Sequence, residues 1–528
     1  MPAANREFVM STLADPPRER FRLSMLLNDR RYRSYTFQFI ALILLILLMA
    51  FLGWNLVRNL ADLGQDISFR FLGEPAGYDI NQRPIPYENQ DPHLRAAFVG
   101  VLNTLIVAIL GCVTATILGT IAGVLRLSPN WLVAKLMAVY VEAFRNVPVL
   151  IWILIIFFIM TAALPSPSAF RGADPDQTML LGSVAATNRG VYVPEPVLGP
   201  GGWVFLAVLA VSIFGVFAYR RFATKLLYDT GRDLPRNWPS LAILIVPPLA
   251  VWLAFSLTAG SAQNALLVPE GSGGQTLEAF VTEEGGATLC LVDGATSSIV
   301  AKTRLLRLKA AARSGPQEAR TNLNIRTNRV DDRATAVAAF EEGQCNLLAL
   351  PQEAAADVTA GAALATELRE GRPIEWDKPY LAGFNFSDGV QVRGSLIALW
   401  FALAIYTGAF IAENVRAGIQ AIPRGQTEAA ASLGLRPGRI MSLVILPQAL
   451  RIIIPPVISQ YLNLTKNSSL AIAVGYMDVT GTLGGITLNQ TGRAIESILM
   501  LMLFYLIISL TISAVMNVFN NAVRLKER

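Results

Sequence analysis

Glu428, Ala429 and Ala430, with Gly434 four residues beyond them and Leu446-Pro447 closing the stretch, form a spaced set that carries no nucleophile and no acid–base pair. Its chemistry is that of contact. Alanines make a slim helix that fits a cleft, one carboxylate can meet a cation there, Gly434 permits a reversal, and Pro447 ends the segment before the next apolar run. A second kind of chemistry lies in polar residues inside apolar stretches. Glu142, Arg145 and Asn146 stand just before Pro148, and Asn463, Lys466 and Asn467 interrupt a later run. Such residues are costly in hydrocarbon and face a cavity or a partner helix. A path offering both charge signs suits a solute that carries both. Two plainer readings stay open: Glu142 and Arg145 pair with each other at i, i+3, and Lys466 snorkels to an interface.

Other chemistries find no support. One histidine and three cysteines leave no metal site and no Cys-x-x-Cys pair. No G-x-x-x-x-G-K-[ST] stretch is present, so the chain cannot cradle ATP phosphates by itself. A net charge of +6 is modest; arginines beside membrane spans account for it better than nucleic acid does. No catalytic residue and no bound cofactor are expected.

The elements that position these residues are membrane helices. Apolar residues make up 53% of the chain and charged residues 16%, with mean hydropathy +0.46, against about 25% charged in soluble domains. Crossing the hydrocarbon takes roughly 20 apolar residues. Eight stretches qualify: 37–57, 98–125, 132–164, 204–219, 241–258, 394–412, 452–487 and 495–519. The first is too long for a cleavable signal and lacks a cleavage site. Short cytoplasmic loops are enriched in Lys and Arg. With both termini inside, the seven arginines of the tail 1–36, the Arg220–Arg236 loop, the Arg416–Arg451 hairpin and the tail 524–528 all fall in the cytoplasm. The loop 58–95 falls outside, its bases balanced by six acids.

Residues 260–392 differ in kind. ATLCLVD (287–293), LNIRT (323–327) and CNLLAL (345–350) read as strands separated by helical stretches, which implies parallel pairing in a small α/β unit outside the membrane. In a wound sheet of order 2-1-3, strands one and three are neighbours. Cys290 and Cys345 then lie within disulfide reach, in a compartment where disulfides persist. Two buried, reduced cysteines are the other reading.

Read as E-A-A-x3-G-x9-[IV]-x-L-P, the first set resembles the EAA loop of bacterial ABC importer permeases, with Val444 in place of the usual Ile. GVLNTLIVAILG (100–111), YVEAFRNVPVLIWILIIFF (140–158), YTGAFIAENVRAGIQAIPRGQTEAA (406–430) and NLTKNSSLAIAVGYMDVTG (463–481) resemble the polar-amino-acid permeases. GFNF (383–386) and the two extra spans 204–219 and 241–258 look most like the branch importing general L-amino acids or glutamate, glutamine, aspartate and asparagine. The resemblance covers about 35–260 and 375–528.

It implies an all-α polytopic protein of about eight spans in the bacterial inner membrane, with a small α/β periplasmic insert. The expected parts are a first helix and exterior loop (37–95), a permease half (96–259), the insert (260–392) and a second permease half (393–523) whose coupling loop is 415–447. The implied partners are an ABC ATPase homodimer carrying the ATP, a second permease subunit in a heterodimer, and a periplasmic amino-acid-binding protein. A secondary transporter would show two related halves, and no internal repeat is visible. A membrane-anchored receptor is the third reading. The insert itself resembles a lobe of the matching binding protein, but Asn346 replaces an aspartate and Ala349-Leu350-Pro351 stand where a Thr-Asp pair is usual. That erosion favours a structural or docking role over a residual amino-acid site near Gly294 to Ser298.

Overall fold

Without water to satisfy it, backbone inside a bilayer must bond to itself, and helices do so within one segment. The computed structural model describes residues 30–62, 64, 66–171, 175–232, 234–258, 262–314, 323–358, 361–366, 368–370 and 372–523. The tail 524–528 and residues 1–29 of the basic tail lie outside the described residues. The part before the insert holds α1 (Arg30–Asp62), α2 (His93–Leu125), α3 (Trp131–Asn146), α4 (Val149–Ala163), α5 (Gly202–Thr230) and α6 (Asn237–Thr258). The insert holds α7 (Leu277–Glu283), α8 (Thr296–Ser314) and α9 (Arg333–Glu341). The second half holds α10 (Gly394–Gln420), α11 (Arg424–Ser432), α12 (Leu446–Asn467) and α13 (Ala494–Val523). Among the described residues seven helices are long and apolar enough to cross a membrane, or eight if α3 and α4 are one bent span.

That bend falls within the expected span 132–164. Pro148 lacks an N–H and pushes the preceding residue out of the helical region; Val147 is extended at φ −112, ψ 134. The chain turns by 107° there, leaving pieces of 16 and 15 residues. The seventh span also ends sooner than Thr487. A 3-10 turn, Ser468–Val474, follows α12, and Gly475 takes the left-handed backbone at φ +67. Residues Thr480–Thr487 then form a π-helical segment held against α2, where Thr104 Oγ1 accepts the Val479 N–H at 3.1 Å.

The helical core centres on α2 and α10. Gly119 and Gly123 are one turn apart on α2. A methyl group on either would lie 2.7 Å from a carbonyl oxygen of α10, that of Gly408 or of Ala412 respectively. Small residues at four-residue spacing let two backbones approach this closely, the usual route to helix association where hydrophobic burial gives no advantage. Around that seam pack Val107, Ala115, Leu399, Leu403, Ile411, Val415, Ile453 and Leu464. By contrast, none of α1's apolar window is buried, and α5 and α6 pack chiefly on each other, with Arg220 Nε donating to Ser240 Oγ at 3.3 Å.

The insert sheet runs β6-β5-β7-β4-β8, where β4 is Ala262–Pro269, β5 Gly286–Val292, β6 Asn324–Val330, β7 Leu347–Pro351 and β8 Gly361–Ala363; β9 (Leu368–Glu370) also pairs with β4. β5 lies parallel to both β6 and β7, and β4 is antiparallel to β7. Leu289, Leu291, Ala301, Leu305 and Leu347 fill one side of the sheet.

The insert is also not confined to 260–392. The loop after α4 supplies β1 (Ala185–Thr187), β2 (Gly190–Val193) and β3 (Glu195–Leu198). β2 pairs with β13 (Val390–Arg393) and β3 with β10 (Ile374–Asp377). Between these, β11 (Tyr380–Ala382) and β12 (Asn385–Ser387) make a hairpin. Where β3 and β10 meet α8, Lys302 Nζ is buried between Asp377 and Asp388, at 2.6 Å from Asp388 Oδ2. Arg329 Nη2 donates to Asp377 Oδ2 at 2.9 Å, and Glu195 Oε2 lies 4.0 Å from it. Burial raises the Glu195 pKa, with Arg329 opposing.

Candidate functional site

Helix α11 begins at Pro423, an N-cap whose ring fixes the backbone. Over its nine residues only Ala430 is buried; Glu428 and Ala429 are exposed. Gly434 takes φ +75 in open space, a backbone that L side chains resist, and Leu433 beside it is 80% exposed. The helix therefore stands off the body with its carboxylate and alanine face bare. Past the reversal, Pro437–Ile440, a π turn Met441–Ile445 and α12 run on as one helical stretch. Leu446 and Pro447 are the first two residues of α12, so Pro447 sits near a helix start and does not end the segment. The π turn ahead of it absorbs the missing N–H bond. At the other edge, α10 extends to Gln420, so the expected coupling loop 415–447 contributes its ends to helices.

Beside this helix lies a charge cluster that sequence reasoning did not assemble. Arg126, just past α2, bonds the carboxylate of Glu413 on α10, which also accepts from Arg416 Nε at 3.0 Å. Arg126 Nη2 reaches Glu142 Oε1 on α3 at 3.6 Å. Asn146 Nδ2 donates to the Glu142 carbonyl at 2.8 Å, and Arg145 places its guanidinium over the Phe410 ring, 5.4 Å from the centroid. Glu142 therefore pairs with Arg126 across helices and not with Arg145. The available signal was the stretch AENVRAG, where Glu413 and Arg416 share one helix face at i, i+3.

Asn463, Lys466 and Asn467 lie elsewhere. Their neighbour Leu464 packs on Gly111 of α2, fifteen residues and so about 22 Å of helix from Arg126. Asn463 and Lys466 are exposed and Asn467 half-buried, all on one face of α12. The fold thus separates the two polar sets: one joins the Arg126–Glu413 cluster, the other lies at the C-terminal end of α12.

In the insert, Cys290 and Cys345 form a disulfide with Cα atoms 5.6 Å apart, and Cys112 on α2 is a free thiol. Asn346 accepts the Thr288 N–H through Oδ1 at 2.7 Å, so its side chain ties two strands together. Among the described residues no group of three His, Cys, Asp or Glu side chains is placed to hold a metal.

The family of binding-protein-dependent transport system inner membrane components matches residues 380–526. The chain is 41% identical, over 98% of its length and 100% of the relative, to a glutamate/glutamine/aspartate/asparagine transport system permease protein of Rhodobacter capsulatus. It is 36% identical to a putative amino-acid ABC transporter permease protein of Escherichia coli, covering 94% of this chain and 95% of that one. A general L-amino acid transport system permease protein of Rhizobium johnstonii is 32% identical, over 95% of this chain and 94% of its own.

Proposed function

This chain belongs to the amino-acid ABC transporter permeases, and we propose that it imports acidic amino acids and their amides, with ATP-derived work entering at α11. A permease of this kind is not itself catalytic; hydrolysis falls to an ATPase homodimer on the cytoplasmic side. A second permease subunit completes a heterodimer, and a periplasmic binding protein delivers the amino acid. The orientation places both termini and α11 in the cytoplasm and the insert in the periplasm.

The observation that carries this reading is the bare face of α11, Glu428 and Ala429 exposed on a helix whose one buried residue is Ala430. A partner groove that moves α11 also moves Glu413 and Arg416, a few residues upstream on α10, and through Arg126 the end of α2. The exposed Asn463–Lys466–Asn467 face supports a substrate path shared with the second permease. Asn346 spends its side chain on a backbone N–H, which favours a docking or structural insert.

The test is uptake of labelled glutamate, glutamine, aspartate and asparagine by proteoliposomes containing the assembled transporter. Glu428→Lys reverses the charge offered to the groove, and Gly434→Asp strains a left-handed backbone. Both variants are expected in the membrane at normal amounts with uptake abolished. Full ATP-dependent uptake by both would sink the assignment of α11.

A further inference from the structure

At the end of α2 farthest from α11 lies a polar cleft of about 830 Å³, within the roughly 300–1,000 Å³ common for small-ligand sites. Its walls come from two separate stretches, the loop after α1 (Asp66 to Gly77) with His93, and the residues just before α13 (Gln490, Thr491 and Arg493). The charges lining it balance: Asp66 and Glu74 against Arg70 and Arg493.

Two of these charges are held in place and two are not. Arg493 Nη1 bonds the Asp66 carbonyl and lies 3.5 Å from Glu496 Oε1. Glu496, 4% exposed, also accepts the Ser68 N–H at 2.9 Å. His93, 3% exposed, sets its Nδ1 3.1 Å from Thr487 Oγ1 and donates its backbone N–H to the Glu74 carbonyl at 3.0 Å. The wall is therefore fixed. On it, one 3-10 turn (Arg70–Gly73) presents Arg70 and Glu74 four residues apart, a spacing at which opposite charges often pair. Among the described residues they form no ion pair with each other, and neither side chain has a hydrogen-bond partner.

We propose that this cleft binds the zwitterionic head of an amino acid, with Arg70 taking the α-carboxylate and Glu74 the α-ammonium. The inference rests on the amino-acid transport reading and adds a site to it. A cleft meant for a simple anion or cation would carry an excess of one sign. Here a cation and an anion stand side by side on a rigid turn with their bonding capacity unspent, as a molecule bearing both charges requires.

The experiment measures equilibrium binding of radiolabelled L-glutamine to the assembled permease–ATPase complex in nanodiscs, without binding protein. N-acetyl-L-glutamine, which lacks the ammonium, serves as competitor. The intact complex is expected to bind L-glutamine and ignore the acetylated compound. Arg70→Gln and Glu74→Gln are each expected to weaken binding by about tenfold or more, the loss of one hydrogen bond to a charged group. In Glu74→Gln the preference over the acetylated competitor is expected to shrink as well, an effect that a merely structural role would not produce. Thermal stability close to that of the unaltered complex checks that the variants are folded. ATP-driven uptake by the unaltered complex tests the transport reading separately. Unchanged glutamine affinity in both variants would overturn the site. So would weakened docking of the binding protein with glutamine binding intact, which would make the cleft a protein contact.

Discussion

Arg126 ends the longest buried helix of the permease, and its guanidinium bonds Glu413, the residue on α10 that also holds Arg416. The side chains are only 17% and 23% exposed, so the link tightens where α2 and α10 leave the seam of glycines. It joins the ends of α2 and α10, and α10 runs on to Gln420, shortly before the Pro423 cap of α11.

Glu413→Ala is expected to leave two arginines facing each other at this joint. A stability loss of about 1–3 kcal/mol follows from removing the acceptor of partly buried charged donors. Thermal unfolding of the purified complex measures it. The companion change Arg126→Ala should cost less in the Glu413→Ala background than alone, the coupling a double-mutant cycle detects. Strictly additive losses would mean that the pair carries no interaction.

Lys302→Met keeps the volume of a side chain that is 1% exposed but removes the buried cation between Asp377 and Asp388, themselves 1% and 6% exposed, and leaves them to the half-exposed Arg329. Breaking a buried ion group from one side typically costs about 3–5 kcal/mol. The expected readout is proteolysis within 260–392 under conditions where the unaltered insert survives. Equal resistance in both would show that the three charges do not hold this region.

The Cys290–Cys345 bond closes a separation of 55 residues. On the chain-entropy model that is worth about 3–4 kcal/mol to the insert. Mass spectrometry of protein alkylated without reduction is expected to find the two cysteine peptides joined, with Cys112 modified separately once the protein is unfolded. Two individually alkylated peptides would refute the bond.

A reporter that is active only outside the cytoplasm is expected to work when fused near Glu342 and to stay silent when fused near Gly425. The reverse pattern would invert the whole arrangement.

Much of this was legible in the residues because each signal was local. Glu428 to Pro447 carries its pattern within one stretch, and every span except two follows from apolar length. The exceptions share a cause: Pro148 and Gly475 redirect the chain inside an apolar run, and hydropathy does not register direction. The pairing of β3 with β10 was invisible for another reason. Strands of four residues such as Glu195–Leu198 show no alternation to read, and their partners lie almost two hundred residues away. The contacts of Arg126 with Glu142 and Glu413 are likewise tertiary, set by which helices meet.

One junction fixes how the insert responds to the membrane. Strand β13 ends at Arg393, and α10 starts at Gly394 with Arg393 as its N-cap; no slack separates them. The loop after α4 braces the same region, through β2 on β13 and β3 on β10. A domain mounted this way behaves as a pointer fixed to a shaft. A few degrees of tilt in α10 swing its far edge through a larger arc, so a pair of spectroscopic labels there reads the angle of a helix buried among its neighbours.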